Sequence, residues 1–82
     1  MTFRVLIRVP VQTLPAEVDV ALRHQVQEIA ASLGGIPVDA KALWESLEMG
    51  GLLLDVKGWR FSYRVDRKGN LLIVDQAMLK SE

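Results

Sequence analysis

The chain has 82 residues, half of them hydrophobic, with ten basic residues balancing ten acidic ones and no Cys. A chain of this length can bury one core but not two, so we predict a single domain spanning residues 1–82. The missing Cys and the absence of any spacing typical of metal ligands exclude a disulfide or zinc scaffold, and we predict no cofactor. Because small secreted domains usually carry disulfides, we expect a cytoplasmic protein. The balanced charge gives little long-range attraction for nucleic acid or for a membrane.

The N-terminal apolar stretch is predicted to be a strand rather than a signal or a membrane span. It is interrupted by Arg4 and Arg8, which a secretory signal would not tolerate, and no apolar run reaches the roughly 20 residues that span a bilayer. Its apolar residues recur at every second position, namely Phe3, Val5, Ile7 and Val9. This period is typical of a half-buried strand, and Pro10 then removes a ladder donor.

Two helices are predicted to follow this strand. The first carries an apolar stripe at spacings of three and four and ends at Gly34-Gly35; the stripe consists of Val18, Leu22, Val26, Ile29 and Leu33. The second is shorter and ends at Gly50-Gly51. We expect it to start with Asp39 as N-cap after Pro37, with Leu43 and Leu47 stacked on each other and Trp44 flanking them.

From Leu52 onwards, β-branched and aromatic residues predict three antiparallel strands, with turns at Lys57-Gly58 and at Arg67–Asn70. The order β-α-α-β-β-β predicts an α+β fold, with both helices on one face of a mainly antiparallel sheet. A two-residue turn sets the pairs Val56 with Trp59, Asp55 with Arg60, Leu54 with Phe61, and Leu53 with Ser62. The face covered by the helices then carries Leu54, Val56, Trp59, Phe61, Tyr63, Val65, Leu72 and Val74.

The opposite face of the sheet is the candidate functional surface. Its predicted basic residues are Arg60 and Arg64, joined by Arg4 and Arg8 if the first strand turns its polar side the same way. Four guanidinium groups on one surface could bind phosphates of a nucleic acid. The alternative is that cross-strand ion pairs with Asp55 and Asp75 occupy these groups.

The same face also carries more apolar side chains than a solvated sheet needs. Leu53, Leu71 and Ile73, with Leu6 beside them, predict a binding surface for a protein partner or for a second copy of the chain. The alternative is that the chain's own C-terminal tail, with Ala77, Met78 and Leu79, covers them.

Side chains for nucleophilic catalysis are sparse. The single His24 lies two residues beyond the stripe position Leu22, so we expect a solvated helix residue. No nucleophile and base stand at a recognisable spacing. The aromatic run Trp59, Phe61 and Tyr63 would stack nucleic-acid bases only if exposed, and we expect it in the core.

The segment Leu54–Asp66, LDVKGWRFSYRVD, together with the element order, resembles the RelE/ParE superfamily of toxin-antitoxin toxins, whose corresponding stretch runs like LRVGDYRVIYRID. In that match Trp59 stands at the family's first Tyr, and Arg60, Tyr63 and Val65 match in type. The chain departs from the family at Asp55, where a basic residue is common. It also lacks the Arg and the Tyr or His expected in Gln76–Lys80.

The resemblance implies a toxin partnered by an antitoxin and acting either on ribosome-bound mRNA or on gyrase. It implies a catalytic role for Arg60 if the chain is a ribonuclease. Two further hypotheses stand beside it. One is a non-catalytic interaction module that uses the sheet face; the other is nucleic-acid binding without cleavage through Arg4, Arg8, Arg60 and Arg64.

Overall fold

A computed structural model describes residues 3–9 and 13–80, and the patterned segments of the sequence fold into the predicted elements. These are β1 (Arg4–Ile7), α1 (Ala16–Gly34), α2 (Lys41–Met49), β2 (Leu52–Val56), β3 (Trp59–Asp66) and β4 (Leu71–Leu79). The strands form one sheet in the order β1-β4-β3-β2, in which β1 runs parallel to β4 and the other neighbours are antiparallel. The predicted α+β class and element order are confirmed. Neither helix of the described residues is long and apolar enough to cross a membrane.

Helix α1 packs one stripe against the sheet. Its buried residues are Val18, Leu22, Val26, Ala30 and Leu33. The predicted stripe is confirmed except near its end, where Ala30 is buried and Ile29 is half-buried. Glu17 and Asp19 lie in the first turn, where a negative charge interacts favourably with the helix dipole.

Helix α2 differs from its prediction at the cap and on its buried face. It begins at Lys41 after Ala40, and no side chain caps it, so the assignment of Asp39 as N-cap was wrong. Trp44 is 2% exposed and is the buried residue of this helix, whereas Leu43 is 47% exposed. The indole can be buried because its Nε1 donates a hydrogen bond to the carbonyl oxygen of Pro37 at 2.9 Å.

The β2–β3 hairpin follows the predicted register at each of the four predicted pairs. Lys57 and Gly58, which join the strands, both have positive φ angles, of 46° and 86°. Positive φ at both central residues is the geometry of a type I′ turn, whose twist matches that of the flanking strands. The turn therefore fixes which side chains share a face.

Strands β3 and β4 pair with one irregularity. Tyr63 lies opposite Val74 and Ser62 opposite Gln76, so Asp75 is an extra residue and forms a β-bulge. The bulge exchanges the faces of the residues that follow it. Ala77 packs against the core, while Gln76 and Met78 continue the other face.

The helix-covered face carries the predicted residues at different depths. Val56, Phe61, Val65, Leu72 and Val74 are buried. Trp59 and Tyr63 lie on the same face but are only half-buried, because both are placed towards the ends of the β2–β3 pairing. The aromatic run is therefore part of the core surface, as predicted, and Trp59 is less enclosed than the sequence pattern indicated.

Candidate functional site

The side of the sheet turned away from the helices, called the open face below, brings the predicted site residues together. In β1 and β4, Arg4 pairs with Leu71 and Leu6 with Ile73. In β3 and β4, Arg64 pairs with Ile73 and Arg60 with Met78. Alternation and pairing therefore place these residues on the open face: Arg4, Leu6, Leu53, Asp55, Arg60, Ser62, Arg64, Asp66, Leu71, Ile73, Gln76 and Met78. Arg8 follows β1 in the same alternation.

Arg60 is held by two contacts to the carboxylate opposite it. Its Nε lies 2.9 Å from Oδ1 of Asp55, and its Nη2 lies 3.4 Å from Oδ2. Lys80 Nζ reaches the same Oδ2 at 3.3 Å. The hydrogen bond from Arg60 holds the pKa of Asp55 below its usual value, and the same bond raises the pKa of Arg60. The candidate catalytic Arg60 is thus charged and already engaged.

Arg64 is also paired. Its Nε lies 3.1 Å from Oδ2 of Asp75, the extra residue of the bulge. The cross-strand ion pairs that the sequence offered as an alternative to a basic patch are therefore present in the structure. Lys80, the third member of the Asp55 group, was not predicted, because its approach depends on how far β4 extends beyond the bulge.

Arg4 and Arg8 differ from this pair. Both are exposed, and neither forms an ion pair with another described residue. They lie on either side of Leu6 at the edge of the sheet. The positive charge that remains uncompensated on the open face is concentrated at β1.

The three predicted partner-binding residues lie on the open face but differ in access. Leu53 is 59% exposed, Leu71 is half-buried, and Ile73 is only 5% exposed. Ile73 is flanked by Leu6 and Arg64 in the register and is not a member of the main core cluster. Ile73 is therefore part of the packed sheet surface, and Leu53 is the most accessible of the three predicted residues.

Two further apolar residues contribute to this surface. Met78 is 63% exposed and Leu6 is 43% exposed. The alternative that Ala77, Met78 and Leu79 belong to a tail covering this face was wrong, because these residues extend β4 and pair with β3. The bulge places Met78 on this face, and nothing in the local pattern of the sequence indicates a bulge.

A groove lies where the edge of the sheet meets α1. It is half-open, has a volume of about 240 Å³ and is lined by Val5, Ile7, Val26, Arg23 and Gln27. Arg23 forms an ion pair with Asp19 one turn earlier, with 3.0 Å between Nε and Oδ1. The groove therefore combines an apolar floor from β1 and α1 with polar side chains of the helix.

The described residues that could act in catalysis or bind a metal do not come together in a site. His24 is exposed and lies 3.1 Å from the carboxylate of Glu28 on the same helix, as expected for a solvated residue. Within residues 3–9 and 13–80, no group of His, Cys, Asp and Glu is arranged to hold a metal ion.

Comparisons with known proteins do not place the chain in a family. No family model matches the sequence. Searches of curated proteins and of solved structures likewise find no significant match.

Proposed function

We propose that this chain is a non-catalytic, cytoplasmic interaction module that binds an acidic protein partner through the open face of its sheet. The observation that carries the proposal is the exposure of three large apolar side chains, Leu6, Leu53 and Met78, on a sheet surface not covered by either described helix. Solvent contact of this kind is unfavourable, and a protein partner would relieve it. The cytoplasmic location rests on the absence of Cys.

The charge of the open face supports an acidic partner. Its basic residues are Arg4, Arg8, Arg60, Arg64 and Lys80, and its acidic residues are Asp55, Asp66 and Asp75. Five positive charges against three negative ones leave an excess on this face, although the whole chain is neutral. Complementary charge steers association and disfavours partners of like charge.

The state of Arg60 argues for binding rather than for catalysis. Stabilising a phosphate would require Arg60 to give up two contacts with Asp55, and Asp55 would then be left to Lys80 alone. Arg64 faces the same exchange with Asp75. Paired guanidinium groups still serve at the rim of a protein interface, where they fix orientation.

The test is site-directed photo-crosslinking in the cells that make the protein. A photoreactive residue at position 53 or 78 should give discrete adducts with an acidic protein, and the yield in an extract of the same cells should fall as salt is added. Matched probes at Val20 and Glu45, which are exposed on α1 and α2, should not give these adducts. Equal adducts from the helical positions, or adducts consisting of a second copy of the chain, would overturn the proposal.

A second proposal follows from the resemblance to the RelE/ParE superfamily: a toxin that acts on ribosome-bound mRNA or on gyrase and is neutralised by an antitoxin. It is supported by the β-α-α-β-β-β order and by the hairpin that presents Arg60. Tightly induced expression should then stop growth, and Arg60→Ala should restore colony formation. Arg23→Ala is the matched control, since Arg23 lies in an ion pair on α1. Unimpaired growth with the folded wild type would reject this proposal.

A further inference from the structure

Among residues 3–9 and 13–80, the outer side of β1 has no strand paired to it and forms an edge of the sheet. In the described sheet β1 is the terminal strand and has β4 as its neighbour on one side. The amides of Arg4 and Arg8 donate to the carbonyl oxygens of Asn70 and Val74 at 2.8 and 2.9 Å. Because backbone groups alternate in direction along a strand, the amides and carbonyls of Val5 and Ile7 point away from β4. Such a row of free groups is a template for a further strand.

Three independent features of this edge indicate which kind of strand could bind there. The side chains of Val5 and Ile7 line the groove with Val26, Arg23 and Gln27 of α1, so an added strand would find an apolar floor bordered by polar side chains on its helix side. On the open face, Arg4 and Arg8 have no ion-pair partner among the described residues. Leu6 lies between them and is 43% exposed.

A second copy of the chain pairs poorly with this edge in the register that aligns residues 4–8 with themselves. Two β1 strands related by a two-fold axis would pair antiparallel about Leu6, since a closed dimer uses the same patch twice. Such pairing would set Arg4 of one copy opposite Arg8 of the other at both ends. Like charges directly opposite each other destabilise a strand pair.

We propose that an extended segment of the acidic partner adds to β1 as a fifth strand, with its acidic residues beside Arg4 and Arg8 and two of its apolar residues in the groove. The inference rests on the proposed function and names the docking mode of that partner. Alternation requires apolar residues beside Val5 and Ile7, an apolar residue beside Leu6 and acidic residues at the two ends. The motif is thus acidic, three apolar, acidic, and it reads the same in either direction.

The first test uses a synthetic peptide, Glu-Val-Leu-Val-Glu with Gly-Ser at each end, titrated into the folded chain. Amide hydrogen exchange followed by NMR should be fast at Val5 and Ile7 in the free protein and slowed by the peptide, while Arg4 and Arg8 are protected throughout. A peptide N-methylated at Leu and at both Val residues keeps every side chain and should bind far less, because in either strand direction it lacks the amide donors that face β1. No binding, or protection elsewhere with Val5 and Ile7 unchanged, would overturn the proposal.

The second test exchanges the charges. Arg4→Glu combined with Arg8→Glu should weaken the Glu peptide at least about tenfold and should favour a Lys-Val-Leu-Val-Lys peptide, since both positions are exposed. Lys41→Glu with Lys68→Glu makes the same change in net charge elsewhere and should leave both affinities unchanged. If the variant with both Arg4 and Arg8 replaced still preferred the Glu peptide, strand addition at β1 would be contradicted. Crosslinks from positions 53 and 78 that survive in that variant would leave the open-face proposal standing by itself.

Discussion

Trp44 joins three segments that are distant in the sequence. Its ring stacks on Phe3 with 5.7 Å between centroids and 16° between planes, and the guanidinium carbon of Arg67 lies 4.9 Å from the ring centroid. Arg67 also donates a hydrogen bond to the carbonyl oxygen of Val38. Trp44 thereby links α2 to β1 and to the β3–β4 turn.

Trp44→Ala should lower the free energy of unfolding by about 3–5 kcal/mol, the usual cost of emptying a buried aromatic site. Trp59→Ala should cost clearly less, because Trp59 is only half-buried. Urea denaturation of the two variants makes the comparison. A larger loss for Trp59 would contradict the assignment of Trp44 to the core.

Asp55 predicts a pH dependence of stability. Its pKa is lowered mainly by the hydrogen bond from Arg60, so its contribution is complete above the ordinary aspartate pKa of about 3.9 and is lost as the pH falls through the lowered value. The melting temperature of the wild type should exceed that of Asp55→Asn above about pH 5, and the small difference should close on further acidification.

The control for this pH effect is Asp39→Asn, since Asp39 is exposed and forms no ion pair within the described residues. Its difference from the wild type should not follow the same course. A difference at Asp55→Asn that stays constant down to about pH 2 would show that the pair contributes nothing through charge.

At the scale of the elements, the residue at position 57 lowers the stability of the β2–β3 hairpin. Lys57 adopts a φ of 46°, a region that Asn enters more readily than Lys. Lys57→Asn should therefore raise the free energy of unfolding by roughly 0.5–1 kcal/mol. Lys68→Asn, in the neighbouring turn and without a positive φ, should show no such gain, and equal effects would argue against turn strain.

The hairpin was predictable because a two-residue turn determines register locally, which gave the Asp55–Arg60 pair directly. The buried face of α2 was not predictable in this way. Nine residues make too few turns for a clear apolar stripe. Trp44 is buried because it contacts Phe3 and Pro37, which lie outside the helix. The bulge at Asp75 and the approach of Lys80 likewise depend on long-range pairing.

At the scale of the whole molecule, the four-stranded sheet is complete only when β1, the first element, pairs with β4, the last. β1 and its flanks bury Phe3 and Val9, each worth roughly 1.5–3 kcal/mol. Their sum is comparable with the full stability of a small domain, about 5–15 kcal/mol. A chain that starts at Thr13 should therefore lose cooperative thermal unfolding measured by circular dichroism.

A synthetic peptide of residues 1–12 should restore cooperative unfolding to the shortened chain, because it supplies the missing strand. The matched control is the same peptide with Val5 and Ile7 replaced by Asp, which cannot bury the helix side of β1. A shortened chain that melts like the full-length protein would show that the parallel pair is dispensable.

The bulge in β4 gives the molecule a tolerance to changes in chain length. Deleting Asp75 would make Val74 and Gln76 consecutive, as their partners Tyr63 and Ser62 already are. Every other pair of β3 and β4 would keep its partner and its face, and Arg64 alone would lose an ion-pair partner. Chains of 81 and of 82 residues should therefore encode the same core, so that length variation among descendants of this sequence can accumulate at position 75 without a change of fold.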